Sequence, residues 1–329
     1  MHNFSYYRAP SVDAAVDADR APGTRIIAGG TNLVDLMKYR VEAPDRLVDI
    51  SRLALGDISD GPGGGLRLGA LATNAATAYD PRVTDRYPVL REAILSGAST
   101  QLRNMATNGG NLMQRTRCYY FYDAGSPCNK REPGSGCPAV NGQNRILAIL
   151  GASPLCIATH PSDMCVALAA LDAVVNVTGP EGERSIALTD FHRLPGAHPE
   201  RDNVLQDGDV ITSIDLPERG FAGHSTYLKV RDRASYAFAL VSVAACLEID
   251  GDGIGAVRVA LGGVAAKPWR DPDAEDRLVG KPADEATFAT LADALLLGAK
   301  GHGHNDFKIP LAKRAIVRAL TAARDNANV

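Results

Sequence analysis

Apolar positions along the chain follow two periods. Residues 25–28 (RIIA), 46–50 (RLVDI), 66–68 (LRL), 173–178 (AVVNVT) and 209–216 (DVITSIDL) are short runs of strand type. Residues 33–40 (LVDLMKYR), 88–95 and 162–171 repeat at helical spacing instead. Leu33, Leu36 and Met37 share one face of the first, and Val89 with Ala93 and Leu90 with Ile94 are spaced for burial on the second. Val166, Leu168, Ala169 and Leu171 supply a buried side to the third. Thr31 or Asn32, Thr73 and Ser162 stand where N-caps are expected. Strand, Gly29-Gly30, helix and second strand after Pro44 make a small β-α-β unit, and the GPEGE turn folds residues 184–188 back as a hairpin.

From about residue 221 the pattern changes. Three strand-like runs around a DGDG turn predict an antiparallel meander, and helices follow over 285–299 and 311–324, with Pro310 at a helix start. A sheet followed by helices is an α+β arrangement. The chain therefore divides into residues 1–220, itself split into 1–57 and 58–220, and a second domain over 221–329. Residues 115–157 carry no convincing strand or helix pattern, and a loop that long in a compact domain needs something other than a core to order it.

Composition narrows the function. With 35 basic against 38 acidic side chains and no basic stripe, the chain does not read as a nucleic-acid binder. No apolar run reaches the roughly 20 residues of a membrane span. The N-terminus lacks the charged and apolar regions of a secretion signal. Six cysteines without such a signal favour reduced thiols over a disulfide framework. Assembly in the cytoplasm is expected, with a route to the periplasm through export on a signal-bearing partner.

Two glycine turns are candidate phosphate sites. Gly29-Gly30-Thr31-Asn32 between strand and helix offers backbone N–H groups and a positive helix end, although an ordinary strand-to-helix turn has the same pattern. Residues 106–111 (ATNGGN) form a second turn rich in hydrogen-bonding side chains. Asp163 reads either as a complement to its helix N-terminus or as an acceptor for ligand hydroxyls. Cys118, Cys128, Cys137 and Cys156 lack the tight knuckles usual for zinc. Their wide spacing is compatible with an iron–sulfur cluster, while zinc, free thiols and disulfides stay open. Arg115, Arg117, Lys130 and Arg131 would offset the charge of either metal centre. Cys165 and Cys246 read as small buried hydrophobes. His160, His192, His198 and His224 show no ligand spacing, and His302 and His304 read as an exposed loop.

Four segments together carry a resemblance: IIAGGTNLVDLMK, GASTQLRNMATNGGNLMQRTRC, CIATHPSDM and YLKVRDRASYAFALVSVA. They resemble the FAD-binding medium subunit of the xanthine dehydrogenase, or molybdenum hydroxylase, family. The cysteine loop is similar to the branch whose flavin subunit also carries a [4Fe–4S] cluster, as in bacterial periplasmic aldehyde oxidoreductases. The resemblance implies a vanillyl-alcohol-oxidase-type (PCMH) FAD-binding domain and then a CO-dehydrogenase-flavoprotein-like C-terminal domain. It implies that Ile26, Ile27, Ala28, Gly29, Gly30, Thr31, Asn32 and Leu33 wrap the pyrophosphate and adenosine of FAD. Thr107 and Gly110 would add a second phosphate contact. Asp163 would bind ribityl or ribose hydroxyls, Ile211 would pack on a ring, and Lys229 would lie near the isoalloxazine. The four cysteines of residues 115–157 would ligate the cluster.

No general acid or base is assigned, because in such subunits the flavin is the redox centre. The resemblance implies a heterotrimer with a small subunit holding two [2Fe–2S] clusters and a large subunit holding the molybdenum cofactor. Electrons would run from molybdenum to FAD and on to an external acceptor. The alternatives are the flavin subunit of a 4-hydroxybenzoyl-CoA-reductase-like enzyme and a zinc-stabilised binding protein with no redox role.

Overall fold

The computed structural model describes residues 1–326; the last three residues of the 221–329 segment lie outside the described residues. Parallel strands need a crossover, and the N-terminal segment supplies two short helices for that purpose. Strands β1 (Ser5–Arg8), β2 (Thr24–Ile27) and β3 (Arg46–Asp49) form a parallel sheet in the order β1-β3-β2. Helix Val12–Asp19 joins the first two strands and helix Leu33–Lys38 the last two. The expected β-α-β unit is present. It is extended by β1, an edge strand of mostly exposed polar and aromatic residues that gives little periodicity to read.

A five-stranded antiparallel sheet follows. Strands β4 (Ile58–Asp60), β5 (Leu66–Gly69), β6 (Val174–Gly179), β7 (Gly182–Ala187) and β8 (Val210–Leu216) run in the order β4-β5-β8-β6-β7. Helix Pro88–Ser96 buries Val89, Leu90, Ala93 and Ile94, as its spacing predicts. Helix Asp163–Ala170 departs from its one-sided reading, since every residue in it is buried. It is wedged between helix Pro88–Ser96 and the third sheet, so no face meets solvent.

That third sheet is the antiparallel meander β9 (Ser225–Val230), β10 (Val241–Asp250) and β11 (Gly253–Gly262), covered by helix Lys308–Arg324, against which helix Glu285–Leu295 packs. Pro310 lies in the first turn of the last helix, where its missing N–H costs nothing. Residues 115–157 hold only one helical turn, Tyr119–Tyr122, and one 3₁₀ turn, Pro138–Val140.

Candidate cofactor cleft and cysteine pocket

The two glycine turns meet. A Cβ on Gly29 would lie 1.9 Å from the Met105 carbonyl oxygen, so only glycine allows the first turn to pack on the backbone leading into the second. Gly30 has a φ of +71°, a conformation that L side chains resist. The second segment is a helix start rather than a free turn: Thr107 caps helix Asn108–Leu112 and accepts from the Gly110 N–H at 3.2 Å.

A cleft of about 360 Å³ opens between these turns and β8, lined by Ile26, Ala28, Thr107, Gly110 and Ile211 among others. Five of the expected FAD contacts thus share one cavity, while Ile27, Gly29, Gly30, Thr31, Asn32 and Leu33 do not line it. Asn32 precedes its helix, but its side chain does not cap it; the Oδ1 accepts from the Arg115 N–H at 3.0 Å. Its buried amide Nδ2 has no partner, and neither has the Thr24 hydroxyl in the cleft wall. Buried donors are rarely left unpaired, so the free Thr24 hydroxyl in the cleft wall fits a ligand that offers an acceptor.

Asp163 and Lys229 belong to an adjoining region. Lys229 donates to Asp163 Oδ2 at 2.7 Å and to the Ser96 carbonyl at 3.0 Å, and the Tyr227 hydroxyl donates to Asp163 Oδ1 at 2.7 Å. The carboxylate is thus held by β9 side chains rather than by its own helix N-terminus. Burial, then the Asp163 charge, push the Tyr227 hydroxyl well above its ordinary value, which keeps it a donor. Asp163 also lines a small cavity with Arg117, His160 and Phe238. The two regions are tied by hydrogen bonds: Ser162 caps its helix at Cys165 N–H and donates to Asn111, and Asn111 donates to Asn74. Tyr227, Asn74 and Glu92, which accepts from the Tyr227 N–H at 2.7 Å, gave no local signal in the sequence.

Cys118, Cys128, Cys137 and Cys156 line one pocket, together with Lys130 and Phe121. All four are free thiols within one apolar cluster that includes Leu36, Leu147 and Ile157. Burial pushes the Cys118 thiol up to about 12 and raises those of Cys137 and Cys156. Polar staples order the loop around them. Arg131 donates to the Tyr120, Phe121 and Ser126 carbonyls, and Asn129 accepts from Gly134 and Gly136 while donating to the Leu155 carbonyl. Arg115, Arg117 and Lys130 pair with carboxylates: Arg115 with Glu42 and Asp202, Arg117 with Asp35, Lys130 with Asp202.

His160 and His192, which show no ligand spacing in the sequence, lie with ring centroids 4.1 Å apart and planes tilted by 47°, beside Cys165. Thirty-one residues of intervening helix and hairpin bring them together, which no local motif encodes.

Comparison with known proteins agrees with this architecture. Residues 2–219 match the FAD binding domain in molybdopterin dehydrogenase, and residues 226–323 the CO dehydrogenase flavoprotein C-terminal domain. The chain is 50% identical to the aldehyde oxidoreductase FAD-binding subunit PaoB of Escherichia coli, over 99% of this chain and 100% of that one. It is 27% identical to the carbon monoxide dehydrogenase medium chain of Afipia carboxidovorans, covering 98% and 99% of the two chains. Among solved structures, quinoline 2-oxidoreductase from Pseudomonas putida 86 aligns with a TM-score of 0.74 at 28% identity, over 98% of each chain. Carbon monoxide dehydrogenase from Hydrogenophaga pseudoflava gives 0.77 at 25%, covering 99% of this chain and 98% of that one. The joined glycine turns, their cleft and the two matched domains establish that the chain belongs to the FAD-binding subunits of the molybdenum hydroxylase family.

Proposed function

We propose that this chain is the electron-transfer subunit of a molybdenum-containing aldehyde oxidoreductase, holding FAD and a [4Fe–4S] cluster. The aldehyde assignment rests on the whole-length 50% identity to PaoB. Bound FAD supplies the exchange between two-electron and one-electron transfer. The protein binds and orients it: residues 26–33 and the Thr107–Gly110 helix start offer backbone donors to the pyrophosphate, and Ile211 an apolar wall. Asp163, held by Tyr227 and Lys229, presents fixed acceptors for ribityl or ribose hydroxyls. Partner subunits would carry molybdenum and the two [2Fe–2S] clusters.

The observation that carries the cluster is the convergence of four free thiols, ten, nine and nineteen positions apart, on one apolar pocket. A zinc tetrathiolate, with Zn–S bonds of about 2.3 Å, needs sulfurs about 3.8 Å apart. Among the described residues no three of the four sulfurs come mutually within 4.8 Å, which is wider than that tetrathiolate needs. The test is co-purification with the partner subunits, followed by iron and flavin analysis of wild type and Cys137→Ala. The variant should lose about four irons per complex and their broad visible absorption while keeping its FAD. Unchanged iron, or zinc in the four-thiol pocket, would refute the cluster and leave the flavin assignment standing.

A further inference from the structure

We propose that His160, His192 and Cys165 form a buried site for a single d10 cation, copper(I) or zinc(II), bound through two imidazole nitrogens and one thiolate. Their ligand atoms lie mutually within 4.8 Å, and all three residues are buried, His160 at 8% exposure, His192 at 2% and Cys165 at 0%. Both ring nitrogens of His160 and the Nδ1 of His192 have no hydrogen-bond partner. Three orphaned buried nitrogens on two histidines grouped with a free thiol call for an occupant.

The arrangement selects the occupant. His192 Nε2 lies 2.9 Å from the Leu112 carbonyl, which fixes the proton on Nε2 and leaves the unpartnered Nδ1 as the ring nitrogen with a free lone pair. A carbonyl behind the imidazole is the usual way a metal-bound histidine is oriented. Burial holds both imidazoles neutral, His192 down to about 4 and His160 well below its ordinary value, so their lone pairs are free at neutral pH. No carboxylate belongs to the group, which disfavours hard oxygen-seeking cations; thiolate with imidazole suits copper(I) and zinc(II). Ligation releases the Cys165 thiol proton to solvent. The thiolate then cancels the charge of copper(I) fully, or that of zinc(II) by half. Such an ion would fasten the start of helix Asp163–Ala170 to the segment after Phe191 and, through Leu112, to the Thr107-capped helix. The proposal is independent of what fills the four-thiol pocket.

The test uses the full chain in complex with its partner subunits. Reconstitution with copper(I) under anaerobic reduction, and separately with zinc(II), is followed by desalting, metal analysis and X-ray absorption at the metal edge. Wild type should retain one ion per chain, with one sulfur (at about 2.3 Å for zinc) and two nitrogens in its first shell. The tighter-held metal names the ion. Cys165→Ala should remove the sulfur shell with iron content unchanged. His160→Gln should weaken the ion by more than the roughly 10- to 100-fold that loss of an outer-shell partner costs. Absence of stoichiometric uptake, a sulfur-only shell, or wild-type retention in both variants would overturn the site.

Discussion

Lys229 and Asp163 form a buried ion pair at 2.7 Å, with only 4% and 8% of their side chains exposed, across 66 residues of sequence. Breaking one partner of such a pair leaves an uncompensated charge and costs about 3–5 kcal/mol, whereas removing both costs far less. Lys229→Met is therefore expected to lower the thermal midpoint of the complex markedly. Adding Asp163→Asn should recover much of that loss without restoring FAD content. Scanning calorimetry with flavin release measures both, and additive losses in the double variant would contradict the pairing.

Gly29→Ala tests the junction of the two turns. Its Cβ would meet the Met105 carbonyl at 1.9 Å, a backbone clash that no side-chain rotation relieves. The variant should fold its C-terminal domain yet purify with little FAD, read as the flavin-to-protein absorbance ratio. Gly30→Ala, strained through its positive φ but 3.2 Å from the nearest side-chain atom, should cost about 1 kcal/mol and retain more flavin. Equal flavin content in the two variants would remove the case for close approach at Gly29.

Much of this site is legible from sequence because it is local. A strand, two glycines and a helix lie within fifteen residues, and Ser162 announces its helix by side-chain chemistry alone. The misses share one cause, a partner supplied from far along the chain. Asn32 looks like a cap until Arg115, 83 residues on, takes its oxygen. Asp163 looks like a helix-dipole residue until β9 brings Tyr227 and Lys229 to it. His160 and His192 carry no motif, since their meeting is set by how helix Asp163–Ala170 and the β6–β7 hairpin fold back.

Lys308 provides a pH test. It is fully buried and donates to the Leu147 carbonyl at 2.7 Å and the Gly263 carbonyl at 2.5 Å, joining the last helix to the end of the cysteine loop. Burial pushes its ammonium down to about 7, against about 10.4 in the unfolded chain. Between those values the unfolded state binds the extra proton, so stability rises with pH through that window and is lowest below pH 7. Both donors survive deprotonation, since a neutral amine keeps two hydrogens. Wild type should therefore gain thermal stability from pH 7 to 9 relative to Lys308→Met, which lacks the titrating group. Parallel pH profiles for the two proteins would show that the amine stays charged in the fold.

Asp202 ties the cysteine loop to the rest of the protein, and its two cations make a coupling measurable. Burial alone would raise its carboxyl, but Lys130 at 2.5 Å and Arg115 at 2.8 Å hold it down to about 2. Removing either cation leaves the other in place, so Lys130→Met and Arg115→Gln should each cost only about 1–2 kcal/mol. Removing both strands the carboxylate, and the double variant should fall below the sum of the singles by about 1–3 kcal/mol, the range for residues sharing one network. Asp202→Asn should then rescue the double variant more than it helps either single one. Because Arg115 opens the loop and Lys130 sits inside the four-thiol pocket, the loss should appear first as protease cleavage within residues 115–157. Strict additivity in that cleavage rate would mean that the two cations hold the loop separately.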